Sequence, residues 1–165
     1  MNIRPVVPGD IPAVSEIYNH YVLNSTCTFA TEPEGPAYWQ SWLESHTGAY
    51  PAIVAEEEGR VVGWGALSRW NNRCAYRYSA ENSVYVRPDC HRRGIGKALL
   101  AELIVLARKH GLQSLVAQIA DHQAASETLH AAAGFRKVGC LESIGFKFDR
   151  WIDVVIWQLR LEGGG

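Results

Sequence analysis

The chain has 165 residues, of which 47% are apolar and 20% charged, a balance typical of one globular domain rather than a disordered segment. Sixteen basic residues face seventeen acidic ones, which argues against nucleic acid or an anionic membrane as a partner held by bulk charge. No apolar run reaches the roughly 18 residues of a membrane helix. No targeting segment is recognisable, and neither the four cysteines nor the histidines show metal-ligand spacing. We therefore expect a cytoplasmic protein with reduced thiols and no metal, with one domain over 1–162 and a glycine tail at 163–165.

The first half of the chain predicts two helices among short strands. Turn residues at 9–12 favour a helix start, at which Asp10 would cap free amides and Pro12 is tolerated. This helix would extend to about residue 23, and a second, aromatic-rich helix would cover 35–45. Strands are predicted over 3–7, 51–56 and 60–68, the last two joined as a hairpin.

The second half predicts a strand–helix–strand unit. The longest helix, 94–110, has few polar positions, which indicates that it packs against a sheet. Cations in its last turn complement the helix dipole, and Gly111 ends it. A short helix is predicted over 124–133, and strands over 83–86, 114–119, 137–143 and 151–159. The pattern is that of an α/β (α+β) fold.

Residues 84–97 join a strand to the long helix through a short basic loop. The first amides of a helix have no partner inside it, and Gly94 and Gly96 let a diphosphate approach those amides closely. Three cations add positive charge there: Arg92, Arg93 and Lys97. The segment predicts an anion site for a phosphorylated cofactor, the alternative being a surface turn with chance arginines.

Two other nucleotide-binding motifs do not fit these glycines. His91 stands where a nucleotidase phosphate-binding loop needs its first glycine, and Ala98 stands where that loop needs a hydroxyl. Leu99 occupies the position of the third glycine in the dinucleotide-binding fingerprint. Both motifs are therefore excluded.

The same loop resembles the Q/R-x-x-G-x-G/A segment of the GCN5-related N-acetyltransferase (GNAT) superfamily, although His91 replaces Gln or Arg. Residues 126–135 resemble the closing helix-and-strand signature of that family, although Gln123 stands where an Asn often contacts the coenzyme arm. Within the family the chain is most similar to the phosphinothricin and methionine sulfone (sulfoximine) acetyltransferases. The matching segments are 17–21, 29–33, 81–86 and 145–151. The resemblance implies a GNAT fold, with a mixed, mostly antiparallel central sheet flanked by helices and an acetyl-CoA site at the strand–loop–helix unit.

The resemblance also implies how the residues would act. A substrate amine would attack the thioester of acetyl-CoA directly, with Glu81 as general base, acting directly or through a water. His130 stands where many members have a tyrosine, and an imidazolium there would protonate the leaving thiolate. The implied coenzyme-binding residues are Val84, Tyr85, Val86, Arg92, Arg93, Gly94, Ile95, Gly96, Lys97, Gln123 and Ser126.

The expected substrate is small and amino-acid-like, for example phosphinothricin, methionine sulfoximine or methionine sulfone. The resemblance implies that the Arg77-Tyr78-Ser79 segment binds the substrate and that Phe29 lines the pocket. An arginine can hold the substrate carboxylate through two parallel hydrogen bonds. Because the relatives are dimers, Lys147 would reach toward the site of a partner subunit in a homodimer. Two alternatives stay open: acetylation of protein N-termini or lysines, and a non-catalytic acyl-CoA-binding sensor that would not need Glu81.

Overall fold

The computed structural model describes residues 1–161, and the predicted glycine tail at 163–165 lies outside the described residues. The strands are β1 (Asn2–Pro5), β2 (Ala52–Glu57), β3 (Arg60–Arg69), β4 (Ser79–Val86), β5 (Ser114–Ala120), β6 (Arg136–Lys147) and β7 (Arg150–Arg160). The helices are α1 (Ile11–Asn24), α2 (Pro36–Ser45), α3 (Ile95–Lys109) and α4 (Ala124–Ala132). None of the helices in 1–161 is long and apolar enough to cross a membrane.

The seven strands form one sheet in the order β1-β2-β3-β4-β5-β7-β6. Neighbouring strands are antiparallel except for β4 and β5, which run parallel on either side of the α3 crossover. Strands β4 and β5 pair only over the first three residues of each, from Ser79 to Glu81 and from Ser114 to Val116. Beyond that point they diverge and leave a gap in the middle of the sheet. The mixed, mostly antiparallel sheet that the resemblance implied is confirmed.

Helix α3 covers one face of the sheet and fixes where the gap lies. Its residues Leu99, Leu100 and Leu103 are fully buried. Gly65 of β3 lets α3 approach closely, since a Cβ there would lie 3.0 Å from a Leu103 methyl carbon. Helices α1 and α2 cover the other face, where Trp64 is buried as core rather than as a pocket wall.

Three local features differ from the sequence predictions. Strand β4 begins at Ser79, four residues before the predicted start, so Glu81 lies inside the strand. Strand β6 continues past 143 to Lys147, through a register shift between Leu141 and Gly145. Asp10 does not cap α1, because its carboxylate accepts bonds from the Arg4 guanidinium and the Val7 amide.

Candidate active site

A cavity of about 660 Å³ fills the gap between β4 and β5. Its wall runs from Glu81, where the two strands part, to the N-terminus of α3. Thirteen of the residues expected at the site line it: Phe29, Glu81, Val84, Tyr85, Val86, Arg92, Gly94, Ile95, Gly96, Lys97, Gln123, Ser126 and His130. The parting of the strands therefore brings the predicted anion site and the predicted base into one cavity.

The α3 end of the cavity presents free backbone amides. The first amide bonded within the helix is that of Ala98, to the Gly94 carbonyl at 3.0 Å, so the three amides before it have no intrahelical acceptor. Gly94 has a φ of 79°, a left-handed conformation that glycine adopts without strain and that turns the chain into the helix. The exposed side chains of Arg92 and Lys97 lie at the same rim. The arrangement suits a diphosphate, which combines negative charge with many acceptor oxygens.

Arg93 does not contribute to this rim. Its Nη2 donates to Glu57 Oε2 at 2.7 Å, and its side chain does not line the cavity. The expected three-cation cluster is thus reduced to two, because Arg93 turns toward strand β2.

Only alternate residues of β4 present their backbone groups to the gap. The Arg87 amide bonds the Val62 carbonyl at 2.9 Å, and bonded pairs alternate along an antiparallel ladder, so Tyr85 uses its backbone groups on Trp64 of β3. Val84 and Val86 then face the gap. The resemblance implied that Tyr85 binds the coenzyme, but its backbone groups are engaged by β3, so it can meet a ligand only through its side chain on the cavity wall.

The carbonyl of Val86 already has partners. The Tyr21 hydroxyl donates to it, and His91 Nε2 lies 3.2 Å from it and 2.6 Å from the Tyr21 oxygen. Burial raises the pKa of Tyr21 to about 12, so the hydroxyl keeps its proton at neutral pH. Val84 is therefore the β4 residue with both backbone groups left for a ligand. Sequence reasoning assigned Tyr21 no role at the site and missed its position in the cavity wall.

Glu81 carries the carboxylate closest to the point where the strands part. It is half-buried, and burial raises the pKa of its carboxyl, while a hydrogen bond with the Gln118 side chain partly opposes that rise. A raised pKa brings the carboxylate nearer to the strength that proton transfer at neutral pH requires. Gln118, which also lines the cavity, carried no signal in the sequence.

His130 lies in the cavity wall but is 5% exposed. Its Nδ1 is 2.8 Å from the Ser126 carbonyl, which can only accept, so Nδ1 carries the proton. Its Nε2, 2.8 Å from Asn82 Nδ2, then accepts the amide proton of Asn82. Burial also lowers the pKa of the imidazole. This is a neutral ring without a proton at Nε2, which differs from the imidazolium that the expected acid role needs.

Only one of the next four residues expected to bind substrate lies in the cavity wall. Phe29 lines the cavity and packs over Gly145 of β6. Arg77, Tyr78 and Ser79 lie outside the cavity wall. The Arg77 Nη1 is 3.3 Å from the Cys74 carbonyl, and its guanidinium lies 4.6 Å from the centre of the Tyr78 ring.

Lys147 also differs from its expected position. Its Nζ donates to the carbonyls of Ser25 and Thr28, at 2.7 and 2.8 Å, and the residue is 5% exposed. The ammonium group therefore fastens the loop after α1 of its own chain. That loop carries Thr28 and Phe29 on the cavity wall, so the contact shapes the site from behind.

Comparison with known proteins agrees with this geometry. Residues 14–135 match the acetyltransferase (GNAT) family. The L-methionine sulfoximine/L-methionine sulfone acetyltransferase of Salmonella typhimurium is 36% identical over 163 residues, covering 98% of this chain and 95% of that protein.

Two solved structures are similar over nearly the whole chain. A phosphinothricin acetyltransferase from Sinorhizobium meliloti, in complex with acetyl-CoA, has a TM-score of 0.94 at 36% identity and covers 97% of this chain and 88% of that one. A ribosomal-protein-alanine N-acetyltransferase from Brucella melitensis has a TM-score of 0.95 at 37% identity, covering 98% and 100%. The family match and these likenesses show that the chain belongs to the GNAT family of acetyltransferases.

Proposed function

We propose that the protein transfers the acetyl group of acetyl-CoA to the α-amino group of a small amino-acid-like substrate. Phosphinothricin, methionine sulfoximine and methionine sulfone are the model substrates. The observation that carries the proposal is the single cavity that holds both the free amides of α3 and the half-buried Glu81. An acyl-CoA-binding sensor would need only the first of these two features.

Acetyl-CoA supplies an activated acetyl group and a thiolate that can leave. At the helix end, the free amides of α3 with Arg92 and Lys97 hold a diphosphate. Along β4, the amide and carbonyl of Val84 pair with an extended amide-containing arm, as an added strand would. The side-chain oxygen of Asn82 is buried without a partner among the described residues, and it lies on the same wall to accept one N–H group.

Glu81 accepts a proton from the substrate ammonium, directly or through one water, and so makes the attacking nitrogen nucleophilic. Backbone amides of β4 that face the gap stabilise the negative charge that develops on the carbonyl oxygen. His130 acts here as a positioning residue, because its hydrogen bond orients the Asn82 amide. The nitrogen loses a second proton after it has bonded to the acetyl carbon, and the C–S bond then breaks. Of the two protons released, one ends on the departing sulfur and the other passes from Glu81 to solvent.

The likeness to a ribosomal-protein-alanine N-acetyltransferase favours a second candidate substrate, an alanine at a protein N-terminus. Both substrates offer an α-amino group, but only the free amino acid carries an α-carboxylate beside it. The resemblance implied that Arg77 binds substrate, and among the described residues its exposed guanidinium has one long hydrogen bond and a ring contact. We propose that it turns to bind that carboxylate.

The test is acetyl-CoA consumption across free amino acids, their sulfone, sulfoximine and phosphinic analogues, and a peptide with N-terminal alanine. We expect the analogues to be acetylated and the peptide to be a poor substrate. Arg77→Ala should raise KM for the amino acid about tenfold, the loss of roughly 1.4 kcal/mol, and leave KM for acetyl-CoA unchanged. Arg73→Ala, in the same exposed loop, is the control. A peptide that outcompetes every free amino acid would overturn the substrate proposal.

We further propose a homodimer in the cytoplasm. Exposed apolar side chains concentrate on the β6–β7 hairpin: Val138, Leu141, Ile144, Phe146, Phe148 and Trp151. A patch of this kind is typical of a protein interface, and β6 is an edge strand of the sheet. The four cysteines are unpaired, which fits a reducing compartment.

A further inference from the structure

Three side chains with metal-binding atoms meet outside the cavity. They are His122 in the turn between β5 and α4, Cys140 in β6 and Asp153 in β7, and their ligand atoms all lie within 4.8 Å of one another. The three residues lie in separate segments of the chain, so no local sequence spacing indicates a metal site. The sheet order brings them together because β7 lies between β5 and β6.

The carboxylate of Asp153 is held in a fixed orientation. Its Oδ1 accepts the Ser143 amide at 2.7 Å, where the irregular part of β6 bends around it. Its Oδ2 is left 3.3 Å from His122 Nε2. Two bonds of about 2.0 Å at a tetrahedral angle place their ligand atoms about 3.3 Å apart, so this pair is already spaced for a zinc-sized ion.

The turn that carries His122 is also constrained. Asp121 and His122 have φ values of 57° and 48°, and the Asp121 amide bonds the Asp153 carbonyl at 2.9 Å. On the other side of the ring, His122 Nδ1 lies 3.9 Å from Glu127 Oε1. A bound ion would replace the contact between His122 Nε2 and Asp153 Oδ2, and the Glu127 carboxylate lies on the far side of the ring, where a metal-bound histidine is usually supported.

We propose that His122, Cys140 and Asp153 bind one divalent transition metal ion of the zinc type. Thiolate and imidazole ligands suit a borderline-soft ion and disfavour calcium and magnesium, which prefer oxygen. His122 and Cys140 are exposed in the single chain, so an ion can reach them before two chains pair through the β6–β7 hairpin. The Cys140 thiol gives up its proton to the buffer on binding, and water completes a tetrahedral shell.

Bound metal would clamp the β5–α4 turn to the β6–β7 hairpin. The next residue in that turn, Gln123, lines the cavity, so the clamp would act on a wall of the acetyl-transfer site without entering it. Metal binding at this site requires neither acetyl-CoA nor a substrate, so its test is independent of the proposed function.

The experiment is a titration of the purified full chain with cadmium and zinc chlorides. Cadmium bound to a thiolate gives an ultraviolet charge-transfer band, and zinc competes for the same site. We expect one ion per chain, loss of the band in Cys140→Ser, and at least about tenfold weaker zinc binding in His122→Gln. Glu127→Gln should weaken binding by about tenfold while the band persists, because Glu127 supports the ring without touching the ion.

Matched controls separate a built site from a reactive surface thiol. Cys74→Ser removes the other exposed cysteine and His20→Gln an exposed histidine elsewhere, and neither should change the titration. Circular dichroism of each metal-free variant checks that the fold is intact. A band that survives Cys140→Ser, an equal loss in Cys74→Ser, or half an ion per chain with growth of the assembled species would overturn the proposal.

Discussion

The two ends of the cavity are built from different kinds of segments. The coenzyme end comes mainly from one continuous stretch, from Val84 on β4 to Lys97 in the first turn of α3, with Gln123 and Ser126 added from the start of α4. The substrate end is assembled from distant parts of the chain: Phe29 after α1, Glu81 on β4, Gln118 on β5 and Gly145 beneath the Phe29 ring. The geometry of a continuous segment follows from its local backbone conformation, whereas the geometry of an assembled site depends on the packing of the whole sheet.

The largest expected effect is at Glu81, where the two ends meet. Glu81→Gln removes the proton acceptor, so we expect kcat/KM to fall on the order of 10²-fold or more. In the wild type, the raised pKa of Glu81 means that activity falls as the pH drops through that value, because the protonated carboxyl cannot accept a proton. The variant should lose this acid limb in a pH profile of kcat/KM.

The same substitution should lower activity without lowering the stability of the fold. A folded-state pKa above the unfolded value means that the fold disfavours the ionised carboxyl, and this cost is present above the raised pKa. We therefore expect the Tm of the variant at pH 8 to equal or exceed that of the wild type. Glu44→Gln, on the exposed face of α2, is the matched control. Wild-type kinetics with normal acetyl-CoA binding would exclude Glu81 as the base.

What could be predicted from the sequence also differs between the continuous end and the assembled end of the cavity. Gly94 at the helix start and the strand–helix–strand order of β4, α3 and β5 were predicted and confirmed, because each depends on neighbouring residues. Arg93 was expected at the anion site because it neighbours Arg92 in sequence, but the structure pairs it with Glu57 of β2. Lys147 was placed by resemblance, but the carbonyls that it binds are fixed by long-range packing that one sequence does not display.

The next prediction tests the assembled end through Gly145. A Cβ at this position would overlap the Phe29 ring. Its three nearest atoms would all be carbons of that ring, and even the farthest of them, Cδ2, would be only 3.0 Å away. Gly145→Ala must displace the ring or the strand, so we expect the free energy of unfolding to fall by about 1–3 kcal/mol. Because Phe29 lines the cavity, KM for the amino acid should rise more than KM for acetyl-CoA.

Strand β6 supplies the control for this substitution. A Cβ on Gly139 would meet nothing within 4 Å, so Gly139→Ala adds the same methyl group to the same strand without a collision. Chemical denaturation and steady-state kinetics of the two variants give the comparison. Equal effects in both would mean that the Phe29–Gly145 contact does not shape the substrate end.

The smallest expected effect lies at the coenzyme end, because its cations are exposed and water screens them. Each of Arg92 and Lys97 should contribute about 0.5 kcal/mol, so replacing both with alanine should raise KM for acetyl-CoA about fivefold. The effect should shrink as salt is added, since screening already weakens the wild-type contacts. Arg93→Ala removes the same charge from the same loop but breaks only the Glu57 pair, so its KM should change less than twofold. If Arg93→Ala matched the double variant, the loop would act through its net charge, and the free amides of α3 would carry the specific recognition alone.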